Sequence, residues 1–179
     1  MASRRYAFIR AINTGKRRLT NEMVTEPFAA LGLDDVQAYQ AAGNVGFLSD
    51  EEPEALTSRL EAALAEAYGF DAPTFVRTDS DLRGLVEAQP FTADQLADTE
   101  GRVQVAFLRG EPDADQVQAV EELAPAADLV AFHGAHWLWL PRAGISTSEM
   151  PVGKVEETLG AMTIRTMGTI ERMLKKFTP

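Results

Sequence analysis

Over residues 5–13 (RYAFIRAIN) the side chains alternate, with Tyr6, Phe8 and Arg10 on one side and Ala7, Ile9 and Ala11 on the other. Both sides carry apolar groups, so the pattern predicts a strand central in its sheet. A basic loop, Gly15 to Arg18, leads to Thr20, which is suited to cap a helix running to about Leu31 and stopped by Gly32. Pro27 falls inside that helix and predicts a kink or a later start. Residues 36–41 and 44–48 read as short strands joined tightly at Ala42-Gly43. Ser49 or Asp50 is then expected to cap a helix with Pro53 in its first turn, in which Leu56, Leu60 and Leu64 recur every four residues until Gly69. Residues 72–77 (APTFVR) supply a fourth strand. The order β-α-β-β-α-β is that of a ferredoxin-like unit, an antiparallel sheet carrying two helices on one face.

The pattern then begins again. A connecting helix from Ser80 to about Glu87, with Asp79 or Ser80 as its cap, ends before Gln89-Pro90. Residues 102–108 (RVQVAFL) read as a strand, 113–123 as a helix, and 129–133 with 136–140 as the arms of a hairpin across Gly134-Ala135. A short helix is expected over 152–159. A last helix is expected from about Thr163 to Phe177, with Met167, Ile170, Leu174 and Phe177 on one face. The fold class predicted is α+β: two ferredoxin-like (α-β plait) units packed as one body, the second lacking or borrowing a strand. The boundary expected is residues 1–78 for the first unit and 79–179 for the connecting helix, the incomplete plait and the C-terminal helix.

Composition narrows the function classes. Of 179 residues, 45% are hydrophobic, enough for a substantial core. Lys+Arg 17 against Asp+Glu 27 gives a formal charge of −10, which repels phosphate backbones and anionic membranes. The absence of cysteine excludes disulfides, thiolate nucleophiles and cysteine metal sites. No signal-peptide pattern or long apolar span is present, and a cytoplasmic protein is the expectation.

Two polar clusters stand at strand edges: Arg10, Asn13, Gly15 and Lys16 after the first strand, and Gly43-Asn44 before the third. Side by side, they would bring a guanidinium, carboxamides, an ammonium and turn amides together, a set suited to a carboxylate or phosphate. Against this, Asn and Gly also build turns for their own sake. Gly15-Lys16 lacks the upstream glycine and following hydroxyl of a phosphate-binding Walker loop. Arg77 ends the fourth strand, where an inter-domain salt bridge would equally explain it, and Arg165 stands at the expected start of the last helix. His133 and His136 are cross-strand neighbours by hairpin geometry, and no further ligand nearby completes a metal set. Trp137 and Trp139 share one face of their strand and are expected to pack in the core or at a subunit contact. Ser148, in the loop Gly144-Ile-Ser-Thr-Ser148, is a potential cap for the helix that follows, although Glu149 opposes an anion there.

These motifs resemble the bacterial domain-of-unknown-function family 1697. The resemblance is carried by Arg10-Ala-Ile-Asn-Thr-Gly-Lys16, by Ala42-Gly-Asn-Val-Gly-Phe47, by Val76-Arg-Thr78 and by Gln89-Pro-Phe91. Toward the C-terminus the chain departs from the family pattern. Gly144-Ile-Ser-Thr-Ser-Glu-Met150 lacks two cations, and Thr163-Ile-Arg-Thr-Met-Gly-Thr-Ile170 lacks an aromatic and two amides. The resemblance implies paired ferredoxin-like units and brings no activity with it.

The function expected is the binding of a small anionic ligand in a cleft between the two plaits, through Arg10, Asn13, Lys16, Asn44, Arg77 and Arg165. An enzyme acting on such a ligand is one alternative, with His133, His136 or a buried carboxylate as its base. A structural or homo-oligomeric protein, pairing through a strand edge or the Trp137 strand, is another. The sequence assigns neither a catalytic residue nor a cofactor, no metal is implied, and neither nucleic acid nor membrane is an expected partner.

Overall fold

The structure, a computed structural model, describes residues 2–177 apart from 11, 14, 16, 17, 41, 100 and 101. It is a mixed α+β chain with two four-stranded antiparallel sheets and, among the described residues, seven helices. The chain divides into two compact units, residues 1–83 with 173–179 and residues 84–172. No helix among the described residues is long and apolar enough to cross a membrane.

In the first unit, β1 (Ser3–Ile9) is central, between β3 (Asn44–Ser49) and β4 (Thr74–Thr78), with β2 (Asp34–Ala38) at the edge beyond β3. The alternation read from the sequence is realised. Ala7 and Ile9 join Val45, Phe47 and Val76 on one face, packed with Val24 and Phe28 of α1 (Asn21–Ala30) and Leu56, Leu60 and Leu64 of α2 (Pro53–Tyr68). The other face carries Tyr6 opposite Gly46 and Arg77, and Phe8 opposite Asn44 and Phe75.

Local signals set several boundaries. Thr20 caps α1, accepting the Met23 amide at 3.3 Å. Pro27 sits within α1 and has no N–H for the Met23 carbonyl, which accepts instead from the Tyr68 hydroxyl at 3.3 Å. Gly69 closes α2 in the left-handed conformation, φ 71°. The cap expected from Ser49 or Asp50 does not form. Glu52 stands at the N-cap without a side-chain bond, because Pro53 fills the first helical position and Ser49 Oγ accepts the Glu51 amide. The first strand stops at Ile9 rather than reaching Asn13, because Ile12 and Asn13 lie in a turn that the Asn13 carboxamide ties to the Leu19 amide.

β4 passes directly into α3 (Asp79–Ala88), where Thr78 and Asp81 cap reciprocally: Asp81 N donates to Thr78 Oγ1 at 3.0 Å and Thr78 N to Asp81 Oδ2 at 2.9 Å. A short helix that the sequence reading omitted, α4 (Ala93–Ala97), carries a Thr92/Gln95 capping box. In the second sheet β5 (Gln104–Phe107) lies between β7 (His136–Leu140) and β8 (Thr163–Thr166), with β6 (Leu129–Phe132) outermost beyond β7. Trp137 and Trp139 are core residues, stacked at 5.8 Å, on the face packed with Val120 of α5 (Ala114–Leu123) and Val155 of α6 (Val152–Leu159).

The second sheet therefore has its own fourth strand. The segment expected to begin the last helix is instead β8, which pairs along its whole length with β5, and α7 (Met167–Phe177) starts only after it. Thr163, Ile164 and Thr166 favour extended backbone once β5 offers them partners. Thr166 Oγ1 then accepts the Thr169 amide at 3.2 Å, capping α7. Ser148 does not cap α6, whose N-cap is Pro151, but donates its hydroxyl to Asp128 and accepts the Met150 amide.

Candidate functional site

The ends of β1 and β3 that carry the two polar clusters do lie side by side. Phe8 is opposite Asn44, and Ile9 N bonds Gly43 O at 2.7 Å. Gly43 is needed there on two counts. Its φ is 71°, and a Cβ would stand 2.8 Å from Ile9 O and 3.1 Å from the Ile12 side chain. Gly43→Ala is expected to cost more than ~1 kcal/mol, read as a lower urea midpoint.

The two carboxamides at this end build the loops. Asn13 Oδ1 accepts the Leu19 amide at 2.6 Å, and its Nδ2 donates to Leu19 O at 3.4 Å. Asn44 is buried, donating from Nδ2 to Tyr39 O at 3.3 Å while Tyr39 N returns a bond to Asn44 O at 2.8 Å. Arg10, partly buried, follows the strand with its amide on Pro73 O. Lys16 lies outside the described residues.

Arg77 is elsewhere in the first unit. It pairs with Tyr6, four positions before Arg10 and so about 13 Å away along the strand. Arg165 belongs to the second unit, on β8 opposite Val105. The five of these residues that the structure describes thus fall into an end-of-sheet group, Arg10, Asn13 and Asn44, and two separate arginines.

Those two arginines occupy equivalent places. Each is the penultimate residue of the strand flanking the central one, on the face opposite the sheet's helix-packed core. Each donates from Nη1 to the carbonyl of the preceding residue at 2.8 Å, Arg77 to Val76 and Arg165 to Ile164. Each is followed by the threonine that caps the next helix. Burial pulls the Arg165 guanidinium down to about 10, still far above neutral pH, so the charge is retained.

Two polar clusters escaped the sequence reading. The Tyr6 hydroxyl donates to Asp79 Oδ1 at 3.0 Å, and Arg83 holds the same carboxylate; burial first, then Asp79, pushes the Tyr6 pKa well above its ordinary range. Buried Asp128 accepts Trp139 Nε1 at 2.8 Å together with the Ser148 hydroxyl. The alternating aromatic strand hinted at a buried indole needing an acceptor, but nothing local pointed to Asp128. Trp137 Nε1 is buried and, among the described residues, has no hydrogen-bond partner. His136 is buried, its Nδ1 3.0 Å from His133 O and its ring edge-on to Phe107. Among the described residues no three His, Asp or Glu side chains gather closely enough to hold a metal.

The family model described as "Protein of unknown function (DUF1697)" matches residues 2–137. The chain belongs to the DUF1697 family. The match ends within β7, so α6, β8 and α7 lie beyond it, the region where the motifs diverge from the family pattern. No curated protein matches the chain. Among solved structures, a conserved bacterial protein, SP0830 from Streptococcus pneumoniae, is similar at TM-score 0.74 and 24% identity, over 99% of this chain and 100% of that one. That likeness extends the shared fold through the C-terminal segment of this DUF1697 chain.

Proposed function

We propose that this DUF1697 protein binds a small anionic ligand, on a scaffold in which each sheet with its helices is a ferredoxin-like plait. The plait reading is supported by the β-α-β-β-α-β element order in both units and by the matching strand orders, β2-β3-β1-β4 and β6-β7-β5-β8. The ligand reading rests on one observation, the repeated arginine. Arg77 and Arg165 stand at the same place in two sheets of otherwise different sequence, immediately before a threonine-capped helix. Desolvating a guanidinium costs free energy that a bound carboxylate or phosphate offsets through charge-assisted hydrogen bonds. Asn13 and Asn44 are turn-builders in this reading, and Arg10 and Lys16 are the remaining cations of the proposed set.

Thermal-shift titration with inorganic phosphate, nucleotides, phosphorylated sugars and small carboxylates tests it. One of these classes is expected to raise the melting temperature, by an amount equivalent to about 2.7 kcal/mol at a hundredfold excess over Kd. The shift should be lost in Arg77→Met or Arg165→Met variants that remain folded. No shift with any class, or a shift that survives both substitutions, overturns the reading.

A further inference from the structure

We propose that the outer edge of β6 is a docking edge for a second copy of this chain, the two β6 strands pairing antiparallel about Ala131. The inference is independent of the anion reading and starts from the hairpin ladder. His133 and His136 exchange both backbone bonds, N to O at 3.1 Å each way. Bonded and non-bonded pairs alternate along an antiparallel ladder, so Ala131 with Leu138 and Leu129 with Leu140 also bond inward. Val130 and Phe132 therefore turn their N–H and C=O groups away from β7, to the side where, among the described residues, the sheet has no further strand.

The other edges are blunted. β2 has a register break between Asp34 and Gln37, with Asp35 at φ 44° and two carboxylates in its first two positions. On β4, Glu61 Oε1 accepts the Thr74 amide at 2.7 Å and Asp81 Oδ2 the Thr78 amide at 2.9 Å. β8 carries Arg165 and runs straight into α7. By contrast Leu129–Phe132 is partly exposed, unbroken in register, and free of charge, proline and glycine. A strand of that kind is a template for another strand.

A second copy fits it in one register. Val130 opposite the partner's Phe132, and the reverse, brings the outward-facing groups of both strands together as bonded pairs, four hydrogen bonds in all. Ala131 falls on the two-fold axis, a non-bonded position where Cα atoms approach to about 4.5 Å and a small side chain suits the contact. The same register sets Asp128 opposite the partner's Gly134 and Leu129 opposite the partner's His133. A chain of charge −10 thus meets its copy there without facing carboxylates.

The chain has no cysteine, so single-cysteine variants report the contact directly. Under mild oxidation Ala131→Cys is expected to form a covalent dimer, whereas Gln37→Cys, exposed on the blunted β2 edge, is not. Light scattering should show mass doubling with concentration. Val130→Pro, which removes an outward N–H and no bond of the β6–β7 ladder, should weaken it about tenfold or more. Circular dichroism identifies the variants that remain folded, and exchange protection of the Val130 and Phe132 amides that grows with concentration provides a readout on the unaltered chain. A monomeric mass at every concentration, equal cross-linking at positions 37 and 131, or a dimer indifferent to Val130→Pro overturns the proposal. So does β6 protection that appears only when an extended peptide is added, which would assign the edge to a different partner.

Discussion

Gly46→Ala is expected to destabilise the first unit by about 1–3 kcal/mol, and Gly46→Val by more, through the C-terminal end of α7. A Cβ at position 46 would stand 2.9 Å from Phe177 Cδ2 and 3.0 Å from its Cγ and Cε2. The ring cannot withdraw cheaply. Phe177 is 4% exposed, meets Tyr6 edge-on at 6.1 Å, and has the Arg4 guanidinium 5.6 Å and the Lys176 ammonium 5.1 Å from its centroid. Lys176 lies also over Tyr39 and donates to Ala38 O, so the helix end is held from two sides. Gly46 lies in ordinary extended backbone, opposite Tyr6, so the glycine serves the close approach of the ring and not an unusual dihedral. Removing the ring separates these effects. Phe177→Ala is expected to cost about 3 kcal/mol, and in that background Gly46→Ala should become close to neutral. Urea unfolding of the four proteins in the cycle measures the coupling. Equal costs of Gly46→Ala with and without the ring would show that Phe177 is not the reason for the glycine.

Asp128→Ala is expected to lower stability by about 1–3 kcal/mol, because it leaves the indole N–H of Trp139 buried without an acceptor. Asp128 precedes β6 and joins it to β7 through Trp139 and to the loop before α6 through Ser148, which in turn accepts the Met150 amide. Asp128→Asn keeps a carbonyl oxygen and should lose clearly less than the alanine variant, whereas Ser148→Ala should lose about 1 kcal/mol. Thermal melts of the three variants decide the order. An asparagine variant as unstable as the alanine one would remove the acceptor argument.

Much of the architecture was legible because its causes are local. The two-sided apolar alternation of residues 6–9 placed β1 at the centre of its sheet, and the structure buries both faces. Thr20, Gly69 and the Gly134-Ala135 turn act within a few residues of themselves, and each does what its type and position indicated. The neighbouring placement of the ends of β1 and β3 followed from the strand order, and the register sets Asn44 opposite Phe8. Residues 163–166 were misread for a reason of the same kind. The amphipathic period of Met167, Ile170, Leu174 and Phe177 is strong and masks a four-residue strand before it, which forms only because β5 has an edge to pair. Ser148 shows the same limit. A hydroxyl four residues before a helix suggested a cap, but a buried carboxylate twenty positions away competes for it and holds it.

By itself, the sequence determined which segments are strands and helices wherever periodicity, caps and turns agree, and through its motifs it determined the family. Only the tertiary structure decided how the polar groups are used. Asn13 and Asn44 are engaged within loops, Arg77 and Arg165 are placed alike in two different sheets, and Gly46 is kept bare for a ring 131 positions away. The division has a physical basis. Backbone periodicity and capping are short-range, fixed by residues within a turn or two of each other. The partner of a buried polar or aromatic side chain is chosen by the packing of segments far apart in the chain.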